Sequence, residues 1–435
     1  MKRLLIIPIL LIAGIVKGYS QTDTTKGIFF ENNLSWSDIL QKAKVEHKYI
    51  FVDCYTTWCG PCKAMDKNVY SKDTVGGLMN IQFICVKLQM DTAKADDQVV
   101  QSRYATAHAI GNEYSINAYP TYLFFSPDGQ AVHKEIGYKN IHDFLVMGSL
   151  AMDPQQQYYR LLSQFRNGDR NYATMPYLAR AARNVKEDSL ALRIAADYMQ
   201  HYLLSLGEGQ LWTKENVSFI GSFGKALHSN GQLFILYLRD KKKIDSIMGE
   251  PGYSDRLINN MVNREVIKPE TDAGVAGHFE PNWRKMNKKI GHQYGKEYVE
   301  RNVVGGQVEF YRTTKAWPKY AKSFIRQMEF SGIDDWKPAS RTAMALNNDA
   351  FEVFKYSKDR KELEKALIWI DRAISMEPEP KSEELDTKAN LLYKLGKKDQ
   401  GLVLEERSHN LNPQDKEIVE SFNKMKNGLP TWPTE

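Results

Sequence analysis

The constraint that dominates this chain is Cys59-Gly60-Pro61-Cys62, placed a few residues after the apolar run Ile50-Phe51-Val52 and its followers Asp53 and Cys54. Ile50 to Cys54 has the character of a short buried strand. Gly60-Pro61 is punctuation, and Lys63, Ala64, Met65 and Val69 suit a helix that begins there. Two cysteines separated by two residues at such a junction can close a small, reversible disulfide. The unpaired N–H groups and dipole of a starting helix stabilise a thiolate at Cys59, drawing its pKa from about 8.5 toward the ~7 of such motifs. Cys62, one turn further in, reads as the more buried thiol. Cys59 is then suited to attack a disulfide and Cys62 to resolve the mixed species.

The chain has only four cysteines, and Cys54 and Cys85 are the other two. All four stand in the first fifth of the sequence, so disulfides do not staple the rest, whose stability must come from packing. Cys54 and Cys85 sit in apolar strand contexts and read as buried, inert thiols; no bond between them is assigned. A zinc site is disfavoured, because there is no second C-x-x-C and no close histidine pair. The spacing of His47, His108, His133 and His142 selects neither a metal nor a catalytic dyad. Asn216-Val217-Ser218 fits a glycosylation pattern that is frequent by chance.

Export is the second expectation. Lys2 and Arg3 precede an apolar run from Leu4 to Val16, and Gly18 and Ser20 provide small residues before Gln21. That is the layout of a cleavable secretory signal over 1–20. The run is shorter than the ~20 residues of an ordinary membrane span. A retained anchor is the alternative. After removal the expected product has no membrane span and is periplasmic or secreted. The formal charge of +6 owes half its value to Lys2, Arg3 and Lys17, too little excess to argue for nucleic acid or a membrane surface.

At 435 residues the chain exceeds a single core. Ser35 or Ser37 can cap a helix through Ile39, Leu40 and Ala43. Further strands are expected at Phe83 to Leu88 and at Tyr122 to Phe125, the latter leading through Ser126-Pro127-Asp128-Gly129 to Val132 and Ile136. Strands alternating with helices and closed by a hairpin indicate a mixed α/β sheet, ending near Leu150. Beyond it the pattern is helical: Tyr158, Leu161, Leu162 and Phe165 form one stripe, and Ala191, Ile194, Ala195, Tyr198 and Tyr202 another. Toward the C-terminus Ala366, Ala373 and Pro378 are echoed 35 residues later by Gly401, Ser408 and Pro413. Segment 344–424 resembles two tetratricopeptide-type repeats. Leu391, Tyr393 and Gly396 fit that pattern; Glu405 is polar where an aromatic is expected.

Phe51-Val52-Asp53 followed by Trp58-Cys59-Gly60-Pro61-Cys62-Lys63 resembles the active-site strand and helix of the thioredoxin family. The resemblance covers roughly residues 30–148. It implies that Asp53 is a buried acid serving Cys62, that Lys87 in Val86-Lys87-Leu88, with Asp91 beyond it, approaches that acid, and that Tyr119-Pro120-Thr121 is a cis-proline loop. Trp58, Gly60, Pro61, Tyr119 and Pro120 would face the substrate. Extra helical segments at Lys72 to Asn80 and Lys94 to Tyr114 make the layout similar to the periplasmic C-terminal domain of the transmembrane reductase DsbD.

The expected architecture is therefore a signal (1–20), a thioredoxin-like α/β domain (30–150), a helical region (151–343) and tetratricopeptide-like repeats (344–424). The expected activity is thiol:disulfide exchange with no cofactor beyond the cysteine pair and no metal. Its partners would be a disulfide-containing protein or peptide and an upstream thiol reductant. Reduction is favoured, since Gly-Pro between the cysteines resembles reducing members. Disulfide isomerisation is the alternative within the enzyme class, and a helical-repeat scaffold with a thioredoxin-like docking module is the alternative outside it.

Overall fold

The computed structural model describes residues 27–331 and 339–433, so the expected signal lies outside the described residues. Two compact units divide the chain, one ending at Leu206 and the other starting at Gly207.

In the first unit, helix α1 (Trp36–Glu46) begins on a capping box, Ser35 against Asp38, the pattern by which a hydroxyl and a carboxylate satisfy orphan N–H groups. Strand β1 (Tyr49–Tyr55) follows, then α2 (Gly60–Met65), which runs into a π turn over Asp66–Tyr70. Next come α3 (Asp73–Gln82), β2 (Phe83–Gln89), α4 (Gln98–Ser102) and α5 (Tyr104–Glu113). Strands β3 (Thr121–Phe125) and β4 (Ala131–Ile136) close as a hairpin, and α6 (Ile141–Met152) completes the sheet domain. Strand order is β2-β1-β3-β4, parallel between β1 and β2 and antiparallel elsewhere.

Period-two alternation sorts the strand residues between two cores. Ile50, Val52 and Cys54 pack with Ile39, Ala43, Ala107 and Ile110 from α1 and α5. Phe51, Cys85, Tyr122 and Phe124 pack on the other face with Met65, Val75, Met79 and Phe144. Cys54 and Cys85 therefore belong to opposite faces. Their registers, Cys54 with Leu88 and Phe51 with Cys85, set them three residues apart along neighbouring strands, about 10 Å, beyond disulfide reach.

The sequence reads 21–33 as a largely polar lead-in, yet its described part, 27–33, straps the outer edge of β2. Phe30 bridges Cys85 in parallel, and Glu31 N–H donates to Cys85 O at 2.8 Å. Arg103 donates to Glu31 O and Leu34 O at 2.8 and 3.0 Å. The strap covers backbone that an edge strand would otherwise present.

The unit holding the sheet also runs past Leu150, where the sequence places the domain's end. Helix α7 (Tyr158–Arg166) buries Tyr158, Leu161, Leu162 and Phe165. It docks on β4, where fully buried His133 accepts the Tyr158 N–H through Nδ1 at 3.2 Å. Tyr159 meets Tyr114 edge to face at 5.8 Å. Helices α8 (Met175–Asn184) and α9 (Asp188–His201) complete the unit.

No strand follows Ile136 among the described residues. In the second unit, consecutive helices Arg360–Ser375, Ser382–Lys394 and Lys398–Leu411 are closed by Lys416–Lys426. Small residues permit close approach: a Cβ on Gly401 would stand 2.9 Å from Ala389 O. Buried Ser408 donates to Ser382 O at 2.8 Å. Glu405, where an aromatic is expected, is fully buried near Asp386. Burial, with Asp386 adding to it, pushes the Glu405 carboxyl far above the carboxylate range.

Candidate active site

The site forms where β1 ends and α2 begins. Cys59 is the N-cap of α2, and Pro61 occupies the first turn, where a missing N–H costs nothing. The Cys62 N–H donates to Cys59 Sγ at 3.1 Å, so an orphan helix donor points at the sulfur where negative charge would develop. The two cysteines form a disulfide. In this oxidised form Cys59 and Cys62 are 2% and 3% exposed. The sequence's reading of Cys62 as the more buried of the two is thus not distinguished here, since both are enclosed.

The loop before the cysteines is pinned from outside. Thr57 N–H donates to both carboxylate oxygens of Asp91 at 3.0 and 3.1 Å, and its hydroxyl donates at 2.5 Å. Asp91 stands two residues past the end of β2, so the sheet edge fixes the approach to Cys59. Trp58 is 69% exposed and stands edge to face against Tyr119, ring centres 5.8 Å apart. The Tyr119–Pro120 bond is cis. A Cβ on Gly60 would meet nothing within 4 Å, so this glycine leaves open space beside the disulfide rather than relieving a clash.

Asp53 lies on β1 opposite Lys87 of β2 and Tyr122 of β3 and is 1% exposed. Burial lifts its carboxyl from an ordinary 3.8 to about 7; Lys87 opposes the rise, and Asp66 adds to it. Lys87 Nζ is 3.9 Å from Asp53 Oδ2 but 2.5 Å from Asp66 Oδ1. The ammonium also lies over the rings of Tyr55, Phe30 and Tyr70, at 4.7, 5.6 and 5.7 Å from their centres.

The structure thus brings Trp58, Cys59, Gly60, Pro61 and Cys62 to one strand–helix junction, with Tyr119 against Trp58, and pairs Asp53 with Lys87 across β1 and β2. Sequence reasoning missed Asp66 and Phe30, and took Asp91 only as part of the second strand. The signal for Asp66 was its position four residues after Cys62, which places both on one helix face. Nothing local marked Phe30, whose role depends on pairing with β2. Burial raises the thiols of Cys54 and Cys85 far above the ordinary range, as inert thiols require. Among the described residues no group of three or more His, Cys, Asp or Glu side chains is placed to hold a metal ion. No helix among them is long and apolar enough to cross a membrane.

The fold and the paired cysteines together define a thiol:disulfide oxidoreductase domain. Residues 36–148 match the family model of the thioredoxin-like domain. A thioredoxin of Mycoplasmoides gallisepticum is 32% identical over 92 residues, 21% of this chain and 73% of that protein. Thioredoxin-2 of Pyricularia oryzae is 27% identical over 106 residues, 24% of this chain. The match spans about half (51%) of that relative's length. The solution structure of a candidate disulphide-isomerase from Bacteroides thetaiotaomicron is similar at 32% identity, covering 30% of this chain and 96% of that one, with a TM-score of 0.25. The chain belongs to the thioredoxin-like family.

Proposed function

We propose that this protein is an exported oxidoreductase that reduces disulfides in protein or peptide substrates through Cys59 and Cys62. The observation that carries the reading is the disulfide at the start of α2, with a helix N–H aimed at Cys59 Sγ and a buried acid, Asp53, on the adjoining strand. In the reduced protein the Cys59 thiolate attacks one sulfur of the substrate disulfide and releases the other as a thiolate. Cys62 then loses its proton to Asp53 and attacks Cys59 Sγ. This forms the internal disulfide and releases the second substrate sulfur, with two electrons passed to the substrate. An upstream thiol reductant restores the dithiol. An Asp53 carboxyl that titrates near 7 is matched to proton transfer at neutral pH.

Trp58, with Tyr119 edge to face against it and Pro120 in the cis bond that follows, is assigned the substrate-facing wall, and open space at Gly60 admits the partner chain. The helices after Leu206 supply partner selection, with 344–424 acting as tetratricopeptide-like repeats; stacked helix pairs form extended binding surfaces. Export rests on the basic, apolar and small-residue layout of 1–20.

Insulin reduction by the purified protein, with Cys59→Ser as control, tests the reading. Turnover should depend wholly on Cys59, and Cys62→Ser should accumulate mixed disulfides through Cys59. A protein that binds partners yet reduces no disulfide would overturn the proposal in favour of a scaffold.

A further inference from the structure

Lys87 has two carboxylates within reach and is committed to the outer one. Its ammonium makes a close ion pair with Asp66, at 2.5 Å, and stops 3.9 Å short of Asp53. Three rings hold it there: Tyr55 from β1, Tyr70 from the π turn and Phe30 from the strap on the sheet edge. Such contacts fix an ammonium without neutralising it. Asp66 opens the π turn that continues the active-site helix, and its side chain is 48% exposed against 1% for Asp53. We infer that Asp66 is a positioning residue for disulfide exchange: it anchors Lys87 away from Asp53 and so keeps Asp53 able to accept the Cys62 proton.

The inference rests on the exchange reading above and deepens it. Were Lys87 free to close on Asp53, the buried carboxylate would gain a charge-assisted partner and lose basicity, as acids beside a cation do by one to three pH units. The other groups around Asp53 are uncharged near neutral pH: Cys54 and Tyr55 on β1, Tyr122 on β3 and Tyr70 on the π turn, with burial raising each of them. Lys87 and Asp66 are therefore the charges that set its behaviour.

The test follows the Asp53 carboxyl itself, by infrared titration of the protonated C=O band in the full-length oxidised protein, with the band assigned by its loss in Asp53→Asn. Asp66→Asn should move the midpoint down by about one pH unit, a tenfold change. Asp66→Glu, which keeps the anchor, should restore it. In a Lys87→Met background the Asp66→Asn shift should shrink to a few tenths, because the anchor then holds nothing. An unmoved midpoint in Asp66→Asn overturns the inference. So does the same downward shift with Lys87 absent, which would assign the effect to direct repulsion between carboxylates. Either result leaves insulin reduction untouched, whereas an inactive wild type would overturn the exchange reading without moving the titration.

Discussion

Replacing Asp53 with asparagine should make the sheet unit more stable while slowing its chemistry. Asp53 is 1% exposed, and its carboxyl is raised from 3.8 to about 7, chiefly by burial. Between those two values the folded chain keeps a proton that the unfolded chain has shed. Stability therefore falls as pH rises through the window and is level on either side of it. At 1.36 kcal/mol per pH unit, the charged form costs the fold about 4 kcal/mol at and above pH 7. Asparagine carries no such charge. Asp53→Asn should match the wild type near pH 4 and exceed it by an amount that grows to about 4 kcal/mol by pH 8. Urea unfolding read by hydrogen exchange of peptides from β1 and β3 reports this unit separately from the other. The same variant should close the internal disulfide about 100-fold more slowly near neutral pH, the lower range for losing a positioned base. A stability difference that is constant with pH, or a less stable variant at pH 8, would refute the reasoning.

Glu405→Gln should stabilise the C-terminal helices increasingly as pH rises from 5 to 9, because burial and Asp386 hold Glu405 protonated far above its unfolded value; exchange protection of 382–411 measures it. A fragment of residues 27–206 should fold and reduce insulin, whereas one ending at Leu150 should aggregate, since removing α7 uncovers β4 and leaves His133 without its Tyr158 N–H. Scattering and activity of the two fragments decide this. Alkylation of the reduced protein near neutral pH should label Cys59 ahead of Cys62, and Cys54 and Cys85 only on unfolding; peptide mass mapping gives the order.

What was legible in the sequence was what is local. Apolar runs gave three strands and the Ser126-Pro127-Asp128-Gly129 turn gave the fourth, Gly60-Pro61 gave the helix start, and the motif around Cys59 drew Asp53, Lys87 and Pro120 into one frame. What could not be read depends on contacts between distant segments. Residues 27–33 carry no strand pattern, because contacts to distant segments hold them: the bridge to Cys85, the guanidinium of Arg103, and hydrogen bonds to Tyr70 and Asn80. The commitment of Lys87 to Asp66 requires β2 to lie beside the π turn, and an α-helical reading of 63–69 contains no such turn. The thioredoxin-like match ends at 148, beside Leu150, after the strand pattern has stopped, but the compact unit continues to Leu206. The stripe at Tyr158 to Phe165 shows that a helix is amphipathic but not which surface it covers, and that surface is β4.

The placement of the cysteines has a consequence for how this chain matures. Unfolded, it carries four thiols close together in sequence, any two of which an oxidant could join. Once β1 and β2 pair, Cys54 and Cys85 are enclosed on opposite faces of the sheet, and the remaining pair is the one at the start of α2. The sheet thus acts as an editor of oxidation. Strand pairing that outruns thiol oxidation leaves Cys59 and Cys62 as the pair to bond, whereas a bond made first to Cys54 or Cys85 opposes the pairing that encloses them.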